Sequence, residues 1–424
     1  MNPRPLLALL PLCLVAACDR TAAPPPSTPA ASVKPVQLRI EPWVLPTQDA
    51  AAQPDLVATA DHRLLLLWIE PRDEGHALRL SQSRAAAHAT WSPAVQVASG
   101  KDWFVNWADT PHVMATEDGA LWAHWLRKSA AAPYAYDVVL SRSADQGASW
   151  SAPVAVNDDG TPTEHGFVSL WPAGGEKLGI AWLDGRRSGG GAGHGEHAGH
   201  GGAMTLRSAQ FDAALQRGGE SELDTMTCDC CQTDAALTAR GPLLIYRDRT
   251  PEEIRDIAAL RYDAGAWTPA RAVHADRWTM PACPVNGPAV AAIGARALVA
   301  WHTAAGGNPT LKLARSDDSG DSYAAPLVLD QGTQVQGRVD LALDPRAAWV
   351  LWLREDAQGQ SLHLARYASD LSGEPQRLQV ARLQGRGRAT GFPQLALANG
   401  VAHVLWTDVV DGRPQLRGAR VLAE

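Results

Sequence analysis

The chain has little with which to build a nucleic-acid surface. Lysine and arginine number 38 against 45 acidic residues, a formal net charge of −7, where a nucleic-acid-binding protein presents a basic stripe. Phenylalanine is scarce too, with four residues against sixteen tryptophans, which suggests a Trp set once or twice in each of several repeating units. The apolar run Leu6 to Val15 is too short to span a bilayer. Cysteine is limited to six positions, two of them, Cys13 and Cys18, in or just after that run.

The first residues read as an address. Arg4 precedes the apolar run, and Val15-Ala16-Ala17-Cys18 resembles a bacterial lipobox. The resemblance implies a lipoprotein signal peptide over residues 1–17, acylation of Cys18, and an exported protein anchored by lipid and facing the periplasm, at the inner or outer membrane. Residues 18–35, with Pro24-Pro25-Pro26 at their centre, then form a solvated, partly extended tether, and residues 36–424 form the folded domain. Four cysteines remain beyond the address: Cys228, Cys230, Cys231 and Cys283. An even number in an exported chain favours disulfides.

From Pro54 onward one cassette recurs: strand, turn, an apolar strand ending in an aromatic, a loop, a strand with alternating leucines, a tight turn, and a closing strand. The aromatics ending the second strand are Trp68, Trp125, Trp182, Tyr246, Trp301, Trp352 and Trp406, at a spacing of roughly fifty to sixty residues. Four short strands at that period predict an all-β fold, a β-propeller of seven blades, with six as the alternative. The seventh cassette lacks its outer strand. The segment Val36 to Ile40 has no partner in the first cassette, so it is expected to pair with the last and close the ring.

Ser143, Asp145, Gly147 and Trp150 spell S-x-D-x-G-x-x-W, and Ser316, Asp318, Gly320 and Tyr323 repeat it with Tyr for Trp. The pattern resembles the Asp-box, or BNR repeat, of sialidase-like proteins. Its role is that of a hairpin lock: the Asp accepts turn amides, the Gly takes a positive φ, and the aromatic packs on the sheet. The resemblance implies a propeller with an arginine cluster for a sugar carboxylate, an acidic proton donor and a Tyr nucleophile. Departures are plain. Sialidases have six blades, and the F/Y-R-I-P motif that supplies their first arginine has no match here, since Pro42-Trp43-Val44-Leu45-Pro46 lacks the Arg.

In a propeller the loops between second and third strands share a face with the blade-to-blade junctions, and the unusual residues fall there. Tyr246-Arg247-Asp248-Arg249 leads a charged loop that ends at Arg255 and Asp256. With Arg338, the guanidiniums of Arg247 and Arg255 are candidate anion clamps, flanked by Arg186, Arg249, Asp256 and Asn286, with Asp248 or Asp184 as proton donor. A salt-bridge lattice is the bland alternative. His194, His197 and His200 lie among glycines and suit Cu or Zn, although the site would be loose; no cofactor is otherwise required. Cys228-Asp229-Cys230-Cys231 and Cys283 sit at neighbouring junctions. If the first is extended, Cys231 faces away from the other two, so disulfides are favoured and a thiolate metal site is the minor reading.

Three functions remain open. The chain binds, and as an exo-α-sialidase-type glycosidase would hydrolyse, an anionic sugar or glycan; or it is a non-catalytic binding or scaffold propeller; or it is a periplasmic metal-binding protein.

Overall fold

A computed structural model describes residues 37–84, 90–188 and 202–424. These form seven antiparallel sheets. An isolated first strand, β1 (Leu38–Trp43), precedes blade 1, which comprises β2 (Ala52–Ala58), β3 (Arg63–Arg72), β4 (Gly75–Arg84) and β5 (Val95–Gly100). Blade 2 comprises β6 (Val113–Ala115), β7 (Leu121–Lys128), β8 (Tyr136–Ser143) and β9 (Val154–Ala155), and blade 3 comprises β10 (His165–Pro172), β11 (Leu178–Asp184), β12 (Met204–Phe211) and β13 (Arg217–Thr227). Blade 4 runs β14 (Asp234–Thr238), β15 (Gly241–Arg247), β16 (Ile257–Asp263), β17 (Ala266–Trp267) and β18 (Arg271–Ala272). Its outer strand is broken into two pieces around Pro269, which has no amide to give to the ladder, and both pieces pair with β16. Blade 5 is β19 (Ala289–Ile293), β20 (Arg296–Thr303), β21 (Thr310–Ser316) and β22 (Leu327–Gln331). Blade 6 is β23 (Val335–Leu343), β24 (Ala347–Asp356), β25 (Gly359–Ala368) and β26 (Gln376–Arg382), and blade 7 is β27 (Gln394–Ala398), β28 (Val401–Val410) and β29 (Arg413–Ala423).

β1 completes blade 7 as its fourth strand, in register from Leu38 opposite Ala423 to Trp43 opposite Gly418. This is the predicted closure, shifted two residues along the chain. The first strands touch one another in a closed cycle, β2 to β6, β10, β14, β19, β23, β27 and back to β2, so the molecule is a seven-bladed β-propeller with those strands around its axis.

The alternation of side chains along each second strand explains why the ring holds together. On β3, Leu64, Leu66 and Trp68 face blade 7 and pack with Ala396 and Leu405, while Leu65, Leu67 and Ile69 face blade 2 and pack with Leu121 and Ala123. The same split recurs in the other gaps, giving one apolar core between each pair of neighbours. Each fully buried Leu contributes about 1.5–3 kcal/mol relative to exposure. Trp68, Trp182, Trp301 and Trp352 belong to these cores, and their indole N–H groups are bonded to acids. Trp68 donates to Glu70 at 2.8 Å and Trp182 to Asp184 at 2.8 Å; Trp301 and Trp352 donate to Asp276 and Asp330.

Polar links near the axis tie neighbouring blades together. The carboxylates of Asp55, Asp234 and Asp340 accept the amides of Val113, Val290 and Leu395. Asp109 accepts Phe167 N–H and Asn286 accepts Arg338 N–H, both at 2.8 Å. On the opposite face, the S-x-D-x-G turns lock as predicted. Gly147, at φ +92°, donates to Ser143 Oγ at 2.7 Å, and Asp145 accepts Ser143 Oγ–H and Ser149 N–H. Gly320 and Asp318 reproduce the arrangement.

Candidate functional site at the junction face

The loops between second and third strands and the blade junctions do share one face. Met204 N–H donates to Asp229, Thr227 bridges to Asp248, and Arg255 N–H donates to Trp278 O. The junctions do not surround an open funnel, however. Gln232 Nε2, entering blade 4, reaches Ala108 O, entering blade 2, at 2.7 Å. Trp107 stacks on Phe392 of the junction into blade 7, with centroids 5.8 Å apart and planes 16° from parallel. The connections thus close over the axis.

This closure changes what the predicted clamp arginines do. Arg247 is only 2% exposed. Its Nε and Nη2 donate to Asn286 O, Nη2 also to His302 O, and Nη1 to Arg255 O, at 2.6–3.0 Å, while its guanidinium lies 5.0 Å from the Trp278 ring centroid. It ties blade 4, the junction beyond it and blade 5 together, with four of its five N–H donors committed to backbone carbonyls. Arg255, 3% exposed, is held by Glu253 through Nε and Nη2. Arg249 pairs with Glu253 and Asp229, and Asp256 accepts the amides of Arg277 and Trp278. The lattice alternative therefore describes this loop better than a convergent clamp.

The two proposed proton donors differ. Asp184 is completely buried, accepts the Trp182 indole, and is gripped by Arg186 through Nε and Nη2 at 2.7 Å. Burial would raise its pKa, but the Arg186 bonds and the charge of His165 hold it below the usual carboxylate range. The signal was in the sequence: Trp182-Leu183-Asp184 repeats Trp68-Ile69-Glu70. Around it, His165 Nε2 lies 3.0 Å from Asp159 and 3.8 Å from Asp184, and Arg186 also approaches Asp159 and Glu220. Asp248 is half-buried, and burial together with Asp224 and Asp256 raises it to about 6, the character of a donor. Tyr246 donates to that same Asp224. A tyrosine with two acid partners does occur elsewhere, since Tyr136 donates to Glu164 at 2.7 Å and lies 3.1 Å from Asp109. It is fully buried, and burial raises its pKa well above the ordinary value.

The cysteines expected to form disulfides gather at one place, with no S–S bond among the described residues. Cys228, Cys230 and Cys231 are buried thiols, with Cys228 Sγ 3.1 Å from Cys231 Sγ and 4.0 Å from Cys230 Sγ. The premise of an extended segment fails because the chain turns at Asp229 and Cys230, which swings Cys231 back beside Cys228. Asp229 points the other way, to Arg249 at 2.9 Å. Cys283, across the next junction, hydrogen-bonds Cys230, and Asn286 N–H donates to Cys231 Sγ at 3.5 Å. Burial alone would raise the Cys228 thiol, yet bonds from Cys230 and Cys231 and the charges of Arg255 and Arg247 bring it well below the ordinary value. His194, His197, His200 and Cys18 lie outside the described residues.

Arg338, the remaining predicted clamp, is also buried, beside Trp107 and Phe392. At φ +49°, it extends Nη1 to Thr390 Oγ1 and Gly391 O and Nη2 to Gly387 O, lying 4.8 Å from the Trp107 ring centroid and 5.8 Å from that of Phe392. Burial and the nearby charge of Arg388 lower it to about 10, still cationic at neutral pH. Arg388 also covers Trp107, at 5.9 Å; its side chain is exposed and makes no ion pair among the described residues. Beside these rings lies a shallow surface hollow whose enclosed volume is only about 10 Å³, lined by Gln53, Thr110, Thr407, Trp107, Phe392 and Gly391, among others, with no carboxylate in its lining. Trp107, Phe392 and Arg388 were missed in the sequence because they sit outside every repeat; the only trace is the isolated Gly385-Arg386-Gly387-Arg388 run.

No family model and no curated protein matches the chain. Among solved structures, the NanB sialidase of Streptococcus pneumoniae, as its K499G mutant, is similar at 10% identity and TM-score 0.45, over 85% of this chain and 83% of that one. An α-L-arabinanase of Penicillium chrysogenum complexed with arabinobiose is similar at 12% identity and TM-score 0.45, over 91% and 97%. The polysaccharide lyase Uly1 is similar at 8% identity and TM-score 0.49, over 89% and 90%.

Proposed function

We propose that this propeller binds a small anionic sugar, or the end of a glycan carrying one, at the hollow beside Trp107 and Phe392, and that it does so without cleaving it. The observation that carries this reading is a half-exposed aromatic pair with Arg388, a guanidinium that makes no ion pair among the described residues, over its Trp107 ring. A sugar ring offers an apolar C–H face to an aromatic platform, and its carboxylate suits a planar two-pronged donor. Gln53, Thr110 and Thr407 supply polar groups for hydroxyls. Hydrolysis would need an acid at the bound bond, and Asp248, the better donor of the two expected, does not line this hollow. The two S-x-D-x-G turns support kinship with sialidase-like propellers. On this reading the lipidated Cys18 holds the domain at a membrane, facing the periplasm.

The test is intrinsic Trp fluorescence titrated with N-acetylneuraminate, glucuronate, galacturonate and neutral galactose. One of the acids should bind and galactose should not. Trp107→Ala should weaken that binding by about tenfold or more, as expected for a lost aromatic contact with its cation–π partner. Sialoside turnover by the full chain would replace binding with hydrolysis, and titrations that none of the acids perturb would remove the sugar.

A further inference from the structure

We propose that Cys228, Cys230 and Cys231, with Cys283 as fourth sulfur, form a thiolate centre for one thiophilic d10 cation, Zn(II) or Cu(I). The three buried sulfurs lie within 4.8 Å of one another. Tetrahedral Zn–S bonds of about 2.3 Å put ligand sulfurs about 3.8 Å apart, and the 4.0 and 3.1 Å separations seen here bracket that value. Small adjustments of these three side chains, with Cys283 swinging inward from beside Cys230, would close the set. Cys283 is the exposed member and marks the side from which an ion enters.

The surroundings suit an anionic centre better than neutral thiols. Four thiolates around Zn(II) carry a net charge of about −2, and two buried cations, Arg247 and Arg255, stand beside the sulfurs. Arg255 engages Cys228 electrostatically, and its Nη1 has no oxygen or nitrogen partner. The Asn286 amide aims at Cys231 Sγ, the kind of outer-sphere donor that orients a ligand and tunes its charge. An apolar core has no use for cations at this position. Each coordinating thiol gives its proton to solvent, and no electron is transferred. Soft thiolate ligation favours Cu(I) and Zn(II) over Ca(II) or Mg(II). The glycine-rich histidine arm is a separate segment and is not needed.

The full chain is purified anaerobically and its metal content measured, then titrated with Zn(II), with Cu(I) and with Co(II) as a spectroscopic substitute. One ion per chain is expected, with sulfur-to-cobalt charge-transfer bands for a tetrahedral zinc-type centre or Cu(I)–thiolate luminescence for copper. Deleting residues 189–203 should leave this ion in place. Cys228→Ser should abolish uptake. Cys283→Ser, whose exposed position spares the core, should lower affinity by at least about 100-fold, since even an outer-sphere partner is worth 10–100-fold, with the melting temperature of the metal-free protein unchanged. The proposal is overturned if alkylation and mass spectrometry find disulfides among these cysteines with no bound metal. It fails equally if the bound metal disappears with residues 189–203 and survives both Cys variants.

Discussion

Two sets of arginines crowd the same face of the ring, and they have opposite fates. Arg247 and Arg255, under blades 4 and 5, are buried and held by their neighbours, Arg247 by backbone carbonyls and Arg255 by Glu253. Arg388, by the hollow near Trp107, stays in solvent with its charge uncommitted. A buried guanidinium must satisfy its donors internally or be expelled, so burial makes an arginine into architecture and exposure leaves it free to recognise something. Richness in arginine is thus a poor guide to a ligand site; spare donors are a better one.

The sharpest way to test this contrast is to delete one member of each set. Arg247→Ala strands three backbone carbonyl groups and should cost about 3 kcal/mol or more, read as a shift in denaturation midpoint, whereas Arg388→Ala should stay within about 0.5 kcal/mol and lose only sugar binding. Equal losses of stability would erase the distinction. A smaller effect serves as control on the far face. Gly147→Ala places a side chain at φ +92°, where Cβ would also meet Leu80 at 3.2 Å. It should cost about 1–2 kcal/mol and leave both sugar and metal affinity unchanged.

The finest test concerns pH. Burial raises Asp109, two residues from Trp107, to about 7, and the nearby Glu164 adds to this. Asp340 is raised to about 7 and Asp234 to about 6, again chiefly by burial. Folded chains therefore hold protons that unfolded chains release above about pH 4, so this contribution to stability is complete at low pH and lost as pH rises through about 6 to 7. Melting temperature should be higher at pH 5.5 than at pH 8. In Asp109→Asn the amide oxygen can still accept Phe167 N–H and its nitrogen can face Tyr136 Oη, so the slope should flatten and the pH 8 value rise. A slope that steepens instead would show that the carboxylate is needed charged.

Much of the fold could be read in advance because its determinants are local and repeated. Each unit carries its own apolar alternation, its terminal aromatic and its turn, and the strand missing from the seventh cassette pointed to β1. The site was less legible. Whether Arg247 faces solvent or the backbone of Asn286 depends on a junction dozens of residues away. The convergence of Cys231 with Cys228 depends on one turn at Asp229, which overrides the alternation of an extended chain. Trp107 and Phe392 meet only because the ring closes, so no window of sequence contains both.

Closure also has a kinetic side. Within blades 1 to 6 each strand meets its partner soon after it, through tight hairpins, whereas β1 must wait for β29, with Arg39 and Glu424 385 positions apart. Contacts of such long loop length carry the largest entropic penalty and form slowly. The last blade is therefore the latch of the folding reaction, and until it shuts, the edge of β29 that β1 covers remains open to intermolecular strand pairing.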